Sequence, residues 1–117
     1  MKIAVVGSRD LTNIIIEKYI PKEATEIVSG GAIGIDSIAA EYAKNNNLLL
    51  TEFLPEYKRF GRAAPIIRNK KIVDYSDKII IFWNGASKGT LSVIEYVKKA
   101  GKPFEVILCN SKTLESF

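Results

Sequence analysis

The chain has 117 residues, 47% of them hydrophobic, which is the size and composition of one globular domain with a packed core. It contains one cysteine and no histidine, which excludes an internal disulfide, Ser-His-Asp or Cys-His catalysis, and a zinc site with imidazole ligands. The net charge is +4, from 17 basic and 13 acidic residues.

The positive charge is concentrated in one segment. Six basic residues and no acidic residue occur between Tyr57 and Val73, which leaves the rest of the chain with a small negative net charge. The six are Lys58, Arg59, Arg62, Arg68, Lys70 and Lys71. Such a run is typical of a solvated helix face, and also of a phosphate or nucleic-acid site, so both interpretations stay open.

The sequence also predicts a cellular location. The apolar run after Met1 is too short for the core of a signal peptide, and no apolar stretch reaches the length of a membrane span. Together with the single cysteine, Cys109, these features predict a cytoplasmic protein without a membrane partner.

Predicted strands and helices alternate along the chain. Continuous apolar runs predict strands at 2–7, 25–31, 48–53, 78–83 and 104–109. Apolar residues at helical spacing predict helices at 12–20 with Thr12 or Asn13 as the cap, from 35 to 43, at 64–76, and from 89 to a C-cap at Gly101. This βα alternation predicts one α/β domain over residues 1–109, with helices on both faces of a parallel sheet, and a C-terminal tail at 110–117.

Ligands of open α/β sheets bind at the carboxyl ends of the strands. Here those ends are "GSR" (7–9), "SGGAIG" (29–34), "EFLPEY" (52–57) and "WNGASKGT" (83–90). Two of them lead into helix N-termini, whose free amides suit an anionic phosphate. Neither G-x-G-x-x-G nor the G-x-x-x-x-G-K-[ST] loop occurs, so an ordinary NAD enzyme or P-loop NTPase is a poor match.

Two of these turns have two interpretations each. In "SKGT" the hydroxyls of Ser87 and Thr90 and the amide of Gly89 form either an anion cradle or a simple helix cap. Asp36 either caps the helix that follows it or accepts hydrogen bonds from the hydroxyls of a ribose. We do not expect a phosphate beside Asp36, because the carboxylate would repel it.

Two interpretations also stay open for the "RN" pair at 68–69 and for the glycines of the second turn. Asn69 falls within an apolar helical stripe, so it either bonds to a strand-end backbone group or reaches the cleft together with Arg68. The glycines of "SGGAIG" let the backbone approach either a nucleotide or the neighbouring helix.

Taken together, "GSR", "SGGAIGIDSIAAEYA" (29–43), "YKRFGRAAPIIRN" (57–69) and "SKGT" resemble the SLOG superfamily of Rossmann-like domains, in particular its small stand-alone DUF2493 branch. The resemblance covers nearly the whole chain. It implies a three-layer α/β/α Rossmann-like fold with a mainly parallel five-stranded sheet, in an order near 3-2-1-4-5.

The resemblance also implies a site for a nucleotide-derived small molecule, such as an ADP-ribose-, NAD- or nucleoside-phosphate-like compound, at the carboxyl edge of the sheet. One wall would be Gly7, Ser8 and Arg9, and a second wall would be Gly30, Gly31 and Asp36. The third side would be Arg68 and Asn69, while Ser87, Gly89 and Thr90 would hold phosphate. We expect a sensor or carrier without a cofactor or metal, and a homo-oligomer.

Two further families suggest alternative functions. The LOG phosphoribohydrolases use a P-G-G-x-G-T-x-x-E turn, but here the proline–glycine pair is absent and Val93 stands in place of the glutamate. A hydrolase of an N-glycosidic or phosphoester bond would instead draw on Asp36, Glu52 or Glu95. DNA-processing protein A shares a similar glycine turn, and Tyr57 and Phe60 in the basic segment would serve single-stranded nucleic acid by stacking.

Overall fold

The structure, a computed structural model, describes residues 1–109. Its strands are β1 (Lys2–Gly7), β2 (Glu26–Ser29), β3 (Leu49–Glu52), β4 (Lys78–Trp83) and β5 (Phe104–Leu108). They form a parallel sheet in the order β3-β2-β1-β4-β5. The expected Rossmann-like α/β fold and its strand order are confirmed. The tail expected at 110–117 lies outside the described residues.

Within residues 1–109, four α-helices accompany the sheet: α1 (Ile35–Asn45), α2 (Tyr57–Phe60), α3 (Ala64–Tyr75) and α4 (Lys88–Ala100). The predicted end of α4 is confirmed, because Gly101 is left-handed at φ +70° and donates its amide to carbonyls of the last turn. The short α2 and the 3-10 turn Gly61–Ala63 occupy a stretch that was expected to be a loop. Within residues 1–109, no helix is long and apolar enough to cross a membrane.

Both faces of the sheet are buried, which explains why its strands read as continuous apolar runs. In β1, Ile3 and Val5 pack into the core on one face, whereas Ala4 and Val6 pack into the core on the other. Helix α1 and the segment 11–20 cover the first face, and α3 and α4 cover the second. The molecule therefore has three layers.

The helix predicted at 12–20 is wrong. Only Glu17–Tyr19 is helical, as a single 3-10 turn, so Thr12 and Asn13 cap no α-helix. Ile14 and Ile16 are buried, whereas Ile15 between them is 73% exposed. This alternation with period two is that of an extended chain, and the three β-branched side chains in a row favour it.

A hydrogen-bonded cluster lies at the amino end of β2, away from the strand ends that bind ligands in this class of fold. The Glu26 carboxylate, only 9% exposed, accepts a hydrogen bond from the Tyr75 hydroxyl at 2.5 Å and one from the Thr51 hydroxyl at 2.7 Å. These two bonds, the one from Tyr75 first, lower the pKa of Glu26 below its ordinary value.

Candidate functional site

A cleft of about 320 Å³ opens at the carboxyl ends of the strands, a size at the lower end of the range for small-molecule sites. It lies between the turns that follow β1 and β2, the segment before α2, and the first turns of α3 and α4. The predicted site residues that line it are Gly7, Arg9, Gly30, Gly31, Asp36, Arg68, Asn69, Ser87, Gly89 and Thr90.

Ser8 is the predicted site residue that does not line the cleft. Its side chain is buried beneath the floor, where its Oγ accepts a 3.2 Å hydrogen bond from the Asn84 amide. The same oxygen lies 3.4 Å from Oγ1 of Thr90. Ser8 therefore links the end of β1 to the turn after β4 and to the start of α4, and supports the site from behind.

The turn before α4 is a helix cap, and its geometry does not exclude the second interpretation, an anion cradle. Ser87 is the N-cap, and its Oγ accepts hydrogen bonds from the Thr90 amide at 3.3 Å and the Thr90 hydroxyl at 3.1 Å. Among the described residues, the amides of Lys88 and Gly89 have no acceptor. Both lie at the positive end of the helix dipole, where an anion is favoured.

The guanidinium group of Arg68 reaches from α3 to the turn after β2. Its Nη1 donates a 2.8 Å hydrogen bond to the Gly30 carbonyl, and its Nε donates one of the same length to Oδ1 of Asn69. Arg68 thus makes the strand-end backbone contact that was considered for Asn69, while Asn69 orients Arg68. Both residues also line the cleft, so the two interpretations of the pair are compatible.

Asp36 lies in the first turn of α1 but does not cap it, since Gly34 is the N-cap and no side chain bonds to that turn. Instead its Oδ2 accepts the Ala32 amide at 3.1 Å. Burial raises the pKa of Asp36, against the opposing effects of that hydrogen bond and of nearby Arg68, while the charge of Glu52 adds to the rise. The cleft therefore contains a carboxyl group whose pKa lies above its ordinary value.

The glycines around the cleft differ in what their missing side chains would meet. A Cβ on Gly34 would lie 2.5 Å from the Arg9 carbonyl oxygen, and one on Gly7 would lie 2.6 Å from the Phe82 carbonyl oxygen. A Cβ on Gly89 would have nothing closer than Ser87 Oγ at 4.0 Å. The first two glycines are required by the protein's own packing, whereas Gly89 borders open space.

Gly30 and Gly31 are also packed against the protein itself. A Cβ on Gly30 would lie 2.6 Å from Nη1 of Arg68 and 3.0 Å from Oδ2 of Asp36. Gly31 has a φ of +69°, a conformation that favours glycine, and a Cβ there would meet the Leu54 side chain. Packing against the protein itself thus accounts for both glycines, and both also line the cleft.

The basic segment is divided between the cleft and the solvent. Of its six charged residues, Arg68 alone lines the cleft. Lys71 forms a 3.2 Å ion pair with Glu56, and Arg59 lies 3.8 Å from the same carboxylate. Most of the run is therefore a solvated surface, and one member contributes to the site.

Several cleft residues were not singled out as site residues by the sequence. They are Val6, Ala32, Pro55, Pro65, Ile72 and Val93, whereas Tyr57, which was considered for stacking on single-stranded nucleic acid, also lines the cleft. Pro55 and Tyr57 lie in the "EFLPEY" stretch, so their position after a strand could have placed them at the site. Within residues 1–109, no cluster of three or more metal-ligating side chains occurs.

Comparisons with known proteins leave this site to be interpreted from its own geometry. No protein-family model, curated protein or solved structure matches the chain. The resemblance to SLOG domains therefore stays a prediction that rests on the motifs in the sequence.

Proposed function

We propose that the protein binds a nucleotide-derived small molecule in this cleft, through a phosphate at the start of α4. The observation that carries the proposal is the convergence of three positive features on one cavity. These are the free amide of Gly89, the guanidinium group of Arg68, and Arg9. An anion at the start of α4 would satisfy the Gly89 amide in a cavity that both arginines also line.

A further group that lines the cleft suits the sugar of such a ligand. The Asp36 carboxyl group is an acceptor for sugar hydroxyls, and in its protonated form also a donor. A sensor or carrier role requires no more than this binding. The expected homo-oligomer stays a prediction that light scattering would test.

The binding test uses inorganic phosphate, AMP and ADP-ribose, titrated by calorimetry against the purified chain. We expect saturable binding of at least one phosphorylated compound, competed by inorganic phosphate, and weakened by Arg68→Ala. Absence of binding for all three compounds up to millimolar concentration would contradict the proposal.

Hydrolysis of the bound nucleotide is the alternative, and Asp36 is the observation that favours it. It is the acidic residue that lines the cleft, and burial raises its pKa, which is the direction expected of a general acid. Glu52 and Glu95, the other carboxylates considered, do not line the cleft. Release of free base or phosphate from AMP or ADP-ribose, abolished by Asp36→Asn, would establish the enzyme and displace the carrier role.

A further inference from the structure

The side chain of Tyr57 is the large apolar group in the cleft that remains without a partner. Its residue is 60% exposed although it lines the cavity. Within residues 1–109, its ring has no aromatic or cation partner, and its hydroxyl makes no hydrogen bond. An aromatic face left in water inside a cleft is a surface that a ligand can cover.

The neighbouring aromatic residue, Phe60, shows that an uncovered ring is not a property of the whole segment. Phe60 is half-buried, and its ring carries the Arg59 guanidinium at 4.9 Å and the Lys71 ammonium at 5.8 Å. Phe60 does not line the cleft. One turn of helix α2 thus contains one ring that is already covered by cations and one that is available.

Tyr57 and the anion-binding turn lie at different parts of the cleft. Tyr57 follows β3, whereas Gly89 follows β4, and these strands are three positions apart in the sheet. Three strand spacings correspond to about 14 Å at the usual separation. The lining also includes the apolar rings of Pro55 and Pro65, whereas α4 and the turn before it contribute the hydroxyls of Ser87 and Thr90.

We infer that Tyr57 stacks on a planar aromatic ring of the ligand, which makes the ligand a nucleotide with its base at the α2 end. This inference rests on the proposed function, since the phosphate at α4 sets the orientation. It narrows the class of ligand to compounds with an aromatic base, because a sugar phosphate or inorganic phosphate would leave the Tyr57 ring uncovered. Any base can stack on an aromatic side chain, so the contact requires that the ligand has a base but does not discriminate between bases.

The test compares AMP, ADP-ribose, adenosine and ribose 5-phosphate in wild type, Tyr57→Ala, Tyr57→Phe and the matched control Phe60→Ala. We expect Tyr57→Ala to weaken nucleotide binding about 5- to 150-fold while leaving ribose 5-phosphate binding unchanged. Tyr57→Phe and Phe60→Ala should bind nucleotides as wild type does. Melting temperatures of all four proteins verify that each variant is folded.

The outcomes separate this inference from the proposed function. Equal binding of AMP and ribose 5-phosphate, insensitive to Tyr57→Ala, would overturn stacking and leave phosphate binding intact. An equal loss for ribose 5-phosphate would assign the contact to the sugar and also overturn stacking. Binding of adenosine that depends on Tyr57, without any contribution from phosphate, would support stacking and overturn the anion site at α4. Absence of binding for all probes would overturn both.

Discussion

Arg68 and Gly30 are joined by a 2.8 Å hydrogen bond across 38 positions of sequence, from a guanidinium nitrogen on α3 to the carbonyl that follows β2. The same guanidinium group is held at its Nε by Asn69. The two bonds fix the orientation of a planar cation at the wall of the cleft. A flexible ammonium group cannot satisfy both acceptors with one fixed geometry.

Arg68→Lys should therefore weaken binding of a phosphorylated ligand although it preserves the charge. We expect a loss of about tenfold for Arg68→Lys and a larger loss for Arg68→Ala, since a charge-assisted hydrogen bond contributes about 1.5–3 kcal/mol. Calorimetric titration with AMP measures both losses. Lys70→Gln on the same helix is the control, because Lys70 lies outside the cleft. Full affinity in Arg68→Lys would show that charge alone matters.

Gly89→Ala should change stability and binding in opposite directions. The new methyl group enters open space, so replacement of glycine in the first turn of α4 should stabilise the fold by about 0.4–1 kcal/mol. The same methyl group occupies the space beside the free amides, so affinity for phosphate compounds should fall. Thermal unfolding and titration on one sample check both effects. A stabilised variant with unchanged affinity would move the anion site away from this turn.

Gly34→Ala should destabilise the protein far more than Gly101→Ala does. Both glycines have positive φ, of +75° and +70°, so an alanine is strained at either position. A Cβ on Gly34 would also clash with the Arg9 carbonyl, whereas nothing lies within 4 Å of one on Gly101. We expect losses of about 1 kcal/mol for Gly101→Ala and more than about 2 kcal/mol for Gly34→Ala in urea unfolding. Equal losses would mean that the turn before α1 moves freely.

Tyr75→Phe should make the protein less stable in a manner that depends on pH. The hydrogen bond from Tyr75 lowers the pKa of Glu26, so its stabilising effect is complete above the ordinary carboxyl pKa and is lost as pH falls through the lowered value. Because Tyr75 is partly exposed, we expect a small loss of stability at pH 7, which shrinks below about pH 4.5. Urea unfolding of both proteins between pH 3 and pH 7 measures this difference. A difference independent of pH would assign the loss to packing.

The salt dependence of binding should separate a small ligand from single-stranded nucleic acid. Affinity for a polyanion falls steeply with salt, roughly in proportion to the number of phosphates contacted, whereas a mononucleotide contacts few. We expect a shallow dependence for AMP that is unchanged in Lys70→Gln/Lys71→Gln, since neither lysine lines the cleft. Tight binding of a dT oligonucleotide at physiological salt, lost in that double variant, would favour the nucleic-acid function.

The parallel sheet and the strand ends that form the cleft were predictable because they depend on local patterns: apolar runs, helical spacing and glycine turns. The strand order depends on contacts between distant segments, and it was expected from the resemblance to SLOG domains. The segment at 12–20 was not, because a run of three isoleucines fits a helical stripe as well as an extended chain. Only contact with the sheet selects the alternation that buries Ile14 and Ile16.

At the site, the positions of most residues were predictable but their partners were not. Ser8 follows β1 as expected, yet its burial beneath Asn84 and Thr90 depends on how closely the two strand ends approach. The bond from Arg68 to Gly30 joins elements far apart in sequence, and no local pattern encodes it. Tyr57 could be assigned to a strand end, but only the fold shows its ring uncovered in the cleft.

The open space beside Gly89 also affects which mutations this protein can tolerate as its sequence evolves. Replacements of Gly7, Gly30, Gly31 or Gly34 would be removed by selection, because a Cβ there would lie within 3 Å of the protein's own atoms. At Gly89 a mutation alters what the cleft accepts while the chain still folds. New ligand preferences can therefore arise in this lineage by single replacements at α4, without earlier compensating mutations elsewhere.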